Sequence, residues 1–199
     1  MRDILVILAH PDTGSLNFAI ARRCVERIGE NGHRAIFHDL YREGFDPVLG
    51  ASEIPEGARV DDTVQTYCRE LAAAKGLVIV HPNWWGMPPA ILTGWIDRVF
   101  RPGVAYRFGE GDSGEGVPEG LLKGKTALVL NTSNTSPARE QAVFGDPLEA
   151  FWKTSIFEFC GITRHYRMTF SVVVTSTEEE RRAWLNDAAG AIDRHFPKE

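Results

Sequence analysis

No stretch of this 199-residue chain approaches the run of ~20 apolar residues that a bilayer-crossing helix needs. Before ILVILA the N-terminus carries a single Arg, and that run is too short for a secretory leader with its own cleavage site. Cysteine is scarce: Cys24, Cys68 and Cys160 are odd in number and lack CxxC spacing. That excludes a disulfide framework and points to reduced thiols in a cytoplasmic protein. Basic charge is not in excess, with Lys+Arg 22 against Asp+Glu 27 and a net charge of -5, so nucleic acid and anionic membranes are not expected partners. The turn from the first strand candidate into its helix, Ala9–Asn17, carries neither GxGxxG nor GxxxxGK[ST], which removes from it the dinucleotide turn of a Rossmann domain and the ATP-binding P-loop. His33, His38, His165 and His195 show no metal-ligand spacing, so they read as surface or helix-end histidines and no metal is expected. Internal repeats, low-complexity tracts and linkers are absent too, and residues 1–199 read as one domain.

What is present alternates. Hydrophobic content of 43% with 25% charged residues suits a single large core. Ile4–Ala9 is a continuous apolar run, the pattern of a strand buried on both faces. Leu16, Ile20, Cys24 and Ile28 then recur at helical spacing and stop near Gly32. Arg34–Asp39, Leu77–His81, Thr126–Leu130 and Thr169–Thr175 are further strand candidates. Val64, Tyr67, Cys68 and Leu71 mark a helix over Asp61–Lys75, and Ile91, Leu92, Trp95, Ile96, Val99 and Phe100 mark the next. A fourth helical face carries Leu148, Phe151, Trp152, Ser155, Ile156 and Phe159. Thr177 caps a closing helix over Glu178–Phe196, whose first turn is acidic as the helix dipole favours. Tyr41–Val60 and Arg107–Gly120 read as loops, and Asp97 and Arg98 as solvent or interface groups on the polar side of the Trp95 helix. Strand then helix, repeated about five times, predicts an α/β fold: a doubly wound, parallel sheet of about five strands with helices on both faces.

Ligands of such sheets bind at the carboxyl ends of the strands. Three segments leave those ends. The first, Ala9–Asn17, supplies His10, Thr13, Ser15, Leu16 and Asn17 at a helix N-terminus, where unpaired N–H groups hold an anion such as phosphate. A plain helix cap by Thr13 or Ser15 explains the same residues equally well. The second, Pro82, Asn83, Trp84, Trp85 and Gly86, is stiffened by prolines and offers a flat apolar face with backbone amides, suited to a planar heteroaromatic ring. Its bland counterpart is a Trp packed over the sheet edge. The third, Asn131–Pro137, brings amides and hydroxyls from Asn131, Thr132, Ser133 and Asn134, though its composition also suits an ordinary turn.

Taken together these segments resemble the flavodoxin-like NAD(P)H:quinone oxidoreductase family over Ile4 to about Phe159. His10, Ser15 and Asn17 match its His–spacer–Ser-x-Asn motif on the flavin phosphate. Pro82, Trp85, Pro89, Ala90, Ile91, Leu92, Gly94 and Trp95 match its motif along the flavin ring, and this is the more specific of the two. The resemblance implies a flavodoxin-like fold and a flavin, FAD or FMN. It implies NAD(P)H as co-substrate, ping-pong hydride transfer through flavin N5 to a quinone or similar acceptor, and a homodimer with the pocket near the interface. In the DT-diaphorase branch a Thr-Thr-Gly-Gly loop precedes a Tyr and a His that stabilise charge on the reduced ring. Here the loop is Thr132-Ser133-Asn134-Thr135, the His position is Phe144, and no Tyr lies between, so no catalytic side chain is assigned. A non-enzymatic flavodoxin-type electron carrier and a flavin-bearing regulatory subunit stand as alternatives.

Overall fold

The structure, a computed structural model, describes residues 1–109 and 116–198. Five parallel strands form the main sheet: β1 (Asp3–Leu8), β2 (Arg34–Asp39), β3 (Gly76–Pro82), and, after the short pair β4 (Tyr106–Arg107) and β5 (Glu119–Gly120), β6 (Thr126–Ser133) and β7 (Arg164–Ser171). Their order is β2-β1-β3-β6-β7, the flavodoxin-like doubly wound arrangement. The register runs through Ile4↔Gly76, Val78↔Leu128 and Leu130↔Met168.

Successive strand residues turn to opposite faces, which is why β1 and β3 read as unbroken apolar runs. Ile4, Val6, Leu8, Val78 and Val80 pack on α1 (Leu16–Glu30) and, later in the chain, α6 (Glu178–His195). Leu5, Ile7, Leu77 and Ile79 pack instead against α2 (Asp62–Ala73) and α3 (Ala90–Val99). The apolar stripes read from the sequence on these helices are the buried ones. Fully buried Trp95 contributes on the order of 3 kcal/mol by area removed from water. Gly94 is needed for close approach: a Cβ there would lie 2.2 Å from the Pro47 carbonyl oxygen. Thr177 and Glu180 form a capping box at α6, as the Thr177 reading anticipates.

Several expectations are corrected. β7 covers Arg164–Ser171, not Thr169–Thr175; the Val-rich Val173–Thr175 forms a single 3-10 turn. β7 is an edge strand whose only buried side chain is Phe170, so its sequence lacks the apolar run of a central strand. The fourth helical face also shifts. A short α4 (Pro137–Arg139) leads into a π-helical turn at Glu140–Phe144, and α5 (Pro147–Ala150) continues as π-helix through Phe151–Glu158. The wider π turn advances the buried positions to Leu148, Trp152 and Phe157, leaving Phe159 exposed. Arg98 is buried rather than solvent-facing: it pairs with Glu53 (2.7 Å) and Asp61 (2.6 Å) and donates to the Asp46 carbonyl. His33 is buried too, against the Pro197 carbonyl, and His38 lies between Glu43 and Glu70. The ends of the Arg107–Gly120 loop pair as β4 and β5, and residues 110–115 lie outside the described residues.

Candidate active site

The connections from β1 and β3 leave the sheet on opposite faces, α1 on one and α3 on the other, and so open a crevice between the two strand ends. A cleft of about 1020 Å³ lies there. Its walls include His10, Ser15, Leu16, Asn17, Pro82, Asn83, Trp84, Trp85, Gly86, Thr132, Ser133 and Asn134. All three sequence-nominated segments therefore converge. Two nominated residues stand apart. Thr13 is exposed and does not line the cleft. Asn131 is buried on the far side of β6, accepting from Thr169 Oγ1 (3.0 Å) and Arg167 (3.3 Å). Strand alternation explains the split, because Thr132 faces Asn17 and Asn131 points the other way. β6 also runs through Ser133, so these three residues are strand rather than loop.

One end of the cleft is built by the start of α1. Ser15 caps the helix, its Oγ accepting from Phe18 N–H (3.2 Å), so the capping reading is realised alongside the cleft. Asp12 takes the Gly14 N–H (2.8 Å). Leu16 and Asn17 occupy the first two helical positions, whose N–H groups have no intrahelical acceptor. His10 Nδ1 lies 3.1 Å from both the Asp12 N–H and the Asp12 carbonyl oxygen, which fixes the ring against the loop. Asn17 Nδ2 donates to Thr132 Oγ1 (2.9 Å), tying the first segment to the third, while Asn17 Oδ1 is buried without a partner.

The other end is built by a tight turn. Trp84 and Met87 exchange backbone hydrogen bonds of 3.0 Å in each direction. The central residues Trp85 and Gly86 have φ of 58° and 74°, the signs of a type I′ turn. Trp85 is fully exposed, not packed over the sheet edge. Pro147 abuts the turn, and a Cβ on Gly86 would lie 2.6 Å from its Cγ. Beneath the turn, His81 Nε2 accepts from the Trp152 indole (3.1 Å), so Nδ1–H donates to the Pro82 carbonyl (2.8 Å). Burial pushes the His81 pKa down to about 4, and this neutral ring pins the π-helix to the strand end.

Gly14 and Thr135, inside the nominated segments, line the cleft too, and sequence reasoning missed Glu140, Val143, Pro147, Val173 and Arg181. Phe144, noted only as a replacement, lines the cleft as well. Glu140 and Val143 sit in the π turn, which breaks the usual periodicity. Arg181, on the exposed side of α6, carries no local signal; it donates to Ser176 Oγ (2.8 Å) and the Val173 carbonyl (3.3 Å).

The sequence profile of Flavodoxin_2, described as a flavodoxin-like fold, matches residues 2–195. The chain belongs to this family. It is 32% identical over 190 residues to an uncharacterised NAD(P)H oxidoreductase of Haemophilus influenzae, covering 93% of this chain and 91% of that one. It is 28% identical over 184 residues to NAD(P)H dehydrogenase [quinone] 1 of the guinea pig Cavia porcellus, covering 81% of this chain but 65% of that protein's length. Among solved structures it superposes on Smu.1420 from Streptococcus mutans with a TM-score of 0.83 at 28% identity, covering 96% and 99% of the two chains. This kinship makes the Flavodoxin_2 member an oxidoreductase. Its cleft fits a flavin. Unpaired N–H groups at the start of α1 would take a phosphate tail, and the buried, unpartnered Asn17 Oδ1 beside them would accept from a donor such as a hydroxyl of the same group. The Trp84–Gly86 turn walls a space of the size that ligand pockets span.

Proposed function

We propose that the chain is a flavin-dependent NAD(P)H oxidoreductase acting on quinones or similar acceptors. The observation that carries this reading is the convergence of the α1 N-terminus, the Trp84–Gly86 turn and the end of β6 on one cleft. Bound there, a flavin, FMN or FAD, would supply the hydride chemistry that links NAD(P)H to the acceptor in ping-pong turnover.

The chain's own residues bind, orient and enclose. Leu16 and Asn17 N–H groups would hold the phosphate beside the His10 ring, with the α1 dipole adding favourable charge. Pro82, Asn83, Trp84, Trp85 and Gly86 flank the ring, and Thr132, Ser133 and Asn134 supply donors to its polar edge. Asn134 is itself held, its Oδ1 accepting from Val174 N–H (2.9 Å). Trp85, Val143 and Phe144 are exposed apolar groups at the cleft rim, and a second copy of the chain covers them in a homodimer. The chain works as one flavodoxin-like domain over 1–199 in the cytoplasm; among the described residues no helix is long and apolar enough to cross a membrane.

The test is twofold: cofactor released from the purified protein and identified by mass, and NAD(P)H oxidation with added menadione. A released flavin with stoichiometric NAD(P)H oxidation supports the reading. Flavin without NAD(P)H oxidation under any acceptor moves the assignment to an electron carrier or regulatory subunit.

A further inference from the structure

Quinone reduction by NAD(P)H consumes one proton per turnover: NAD(P)H, a proton and a quinone give NAD(P)⁺ and a hydroquinone. The hydride has its carrier in the proposed function, but the proton does not, because Phe144 can hold none. Among the described residues lining the cleft, only His10, Glu140 and Arg181 carry a side chain that can be charged. Arg181 does not release its proton in proteins. His10 belongs to the phosphate end beside α1. Glu140 is at the other end, in the π turn with Val143 and Phe144, facing Asn83 next to the Trp84–Gly86 turn.

Glu140 is only 9% exposed, in a stretch of wall it shares with Val143 and Phe144. Its Oε1 accepts from Asn83 Nδ2 (3.2 Å), and Asn83 is fixed in turn by its N–H donating to the Thr132 carbonyl (2.7 Å). The backbone is anchored as well, with Glu140 N–H donating to the Ser136 carbonyl (2.9 Å). Oε2 has no protein partner among the described residues and is not among the fully buried polar atoms, so it opens onto the cleft. One carboxyl oxygen is thus held still while the other faces the space a substrate enters. With one oxygen held and the other free, the carboxyl is placed to pass a proton to a group in the cleft.

We propose that Glu140 is the catalytic proton donor to the acceptor, an inference that rests on the quinone-reductase reading above. As the acceptor takes up the hydride, the Glu140 O–H bond breaks and an O–H bond forms on the acceptor oxygen. The carboxylate left behind regains its proton from solvent, so protons and electrons balance.

The test compares two acceptors on flavin-loaded wild type, Glu140→Gln and Glu140→Ala. Menadione needs a proton with its two electrons, whereas ferricyanide takes electrons alone. Gln keeps the size and the acceptor oxygen that Asn83 binds; Ala removes both. The expected result is a fall of at least tenfold in the menadione-to-ferricyanide rate ratio in both variants. The visible spectrum of bound flavin and its fluorescence quenching report cofactor binding separately from turnover. An unchanged ratio, with flavin bound, overturns the role of Glu140. Equal loss with both acceptors overturns it too, by making Glu140 a structural residue. Colourless protein that quenches no added flavin defeats the underlying reading instead, and is recognised as such.

Discussion

Trp85 holds a left-handed backbone conformation that costs a bulky residue about 1–3 kcal/mol, and it exposes its whole ring to do so. Strain spent on an exposed aromatic points to a ligand or partner surface. Trp85→Gly therefore raises the melting temperature of the flavin-free protein by about 2–4 °C, the equivalent of ~1 kcal/mol for a chain of this size. The same change, or Trp85→Ala, weakens flavin binding by about 1–2 kcal/mol in a fluorescence titration; unchanged affinity removes Trp85 from the site. His81 predicts a pH effect. Its folded pKa is depressed, so between its unfolded value of ~6.5 and about 4 the unfolded chain binds more protons. Stability is full above that window and falls by about 3 kcal/mol on acidification through it. Urea unfolding across the window checks this, and a His81→Gln variant loses that part of the slope. At this scale the sequence was legible where residue types carry chemistry, as in His10, Ser15, Asn17 and the Trp pair. It was silent on Glu140 and Arg181, whose place in the cleft depends on a π turn and on the way α6 packs against α1.

Among the elements, the central strands and α1 to α3 were readable because burial on one or two faces imposes a strict period. β7 and the helix after Asp146 were not. An edge strand buries a single side chain, and a π-helix departs from the 3.6 period on which the reading relied. Tertiary pairing also overrode local polarity at Arg98, which the helix pattern placed toward solvent or an interface and which lies buried within the chain. Arg98 fastens the Asp46–Asp61 segment to α3 through Glu53, Asp61 and the Asp46 carbonyl. Removing the cation leaves Glu53 buried without its counter-charge. Arg98→Met accordingly lowers stability by about 3 kcal/mol, the low end for a broken buried pair because Asp61 is half exposed. A urea midpoint equal to wild type contradicts this clamp.

For the whole molecule, the layout separates stability from chemistry. Two apolar cores sandwich the sheet, while the cleft sits at one edge of it, built from strand ends and turns. The cysteines belong to the cores: burial pushes the Cys24 and Cys160 thiols up to about 12, so they are inert at neutral pH. The cleft rim instead exposes Trp85, Met87, Val143 and Phe144. Light scattering on the flavin-loaded protein is expected to give twice the chain mass; a monomer at micromolar concentration contradicts the dimer. The central claim is that this cleft holds a flavin which shuttles reducing equivalents. The most direct measurement is an anaerobic visible spectrum of the purified protein, taken before NAD(P)H, after it, and again after menadione. The account predicts a flavin band that bleaches with NAD(P)H and returns with menadione; a protein that stays colourless even after soaking in excess FMN and FAD contradicts it.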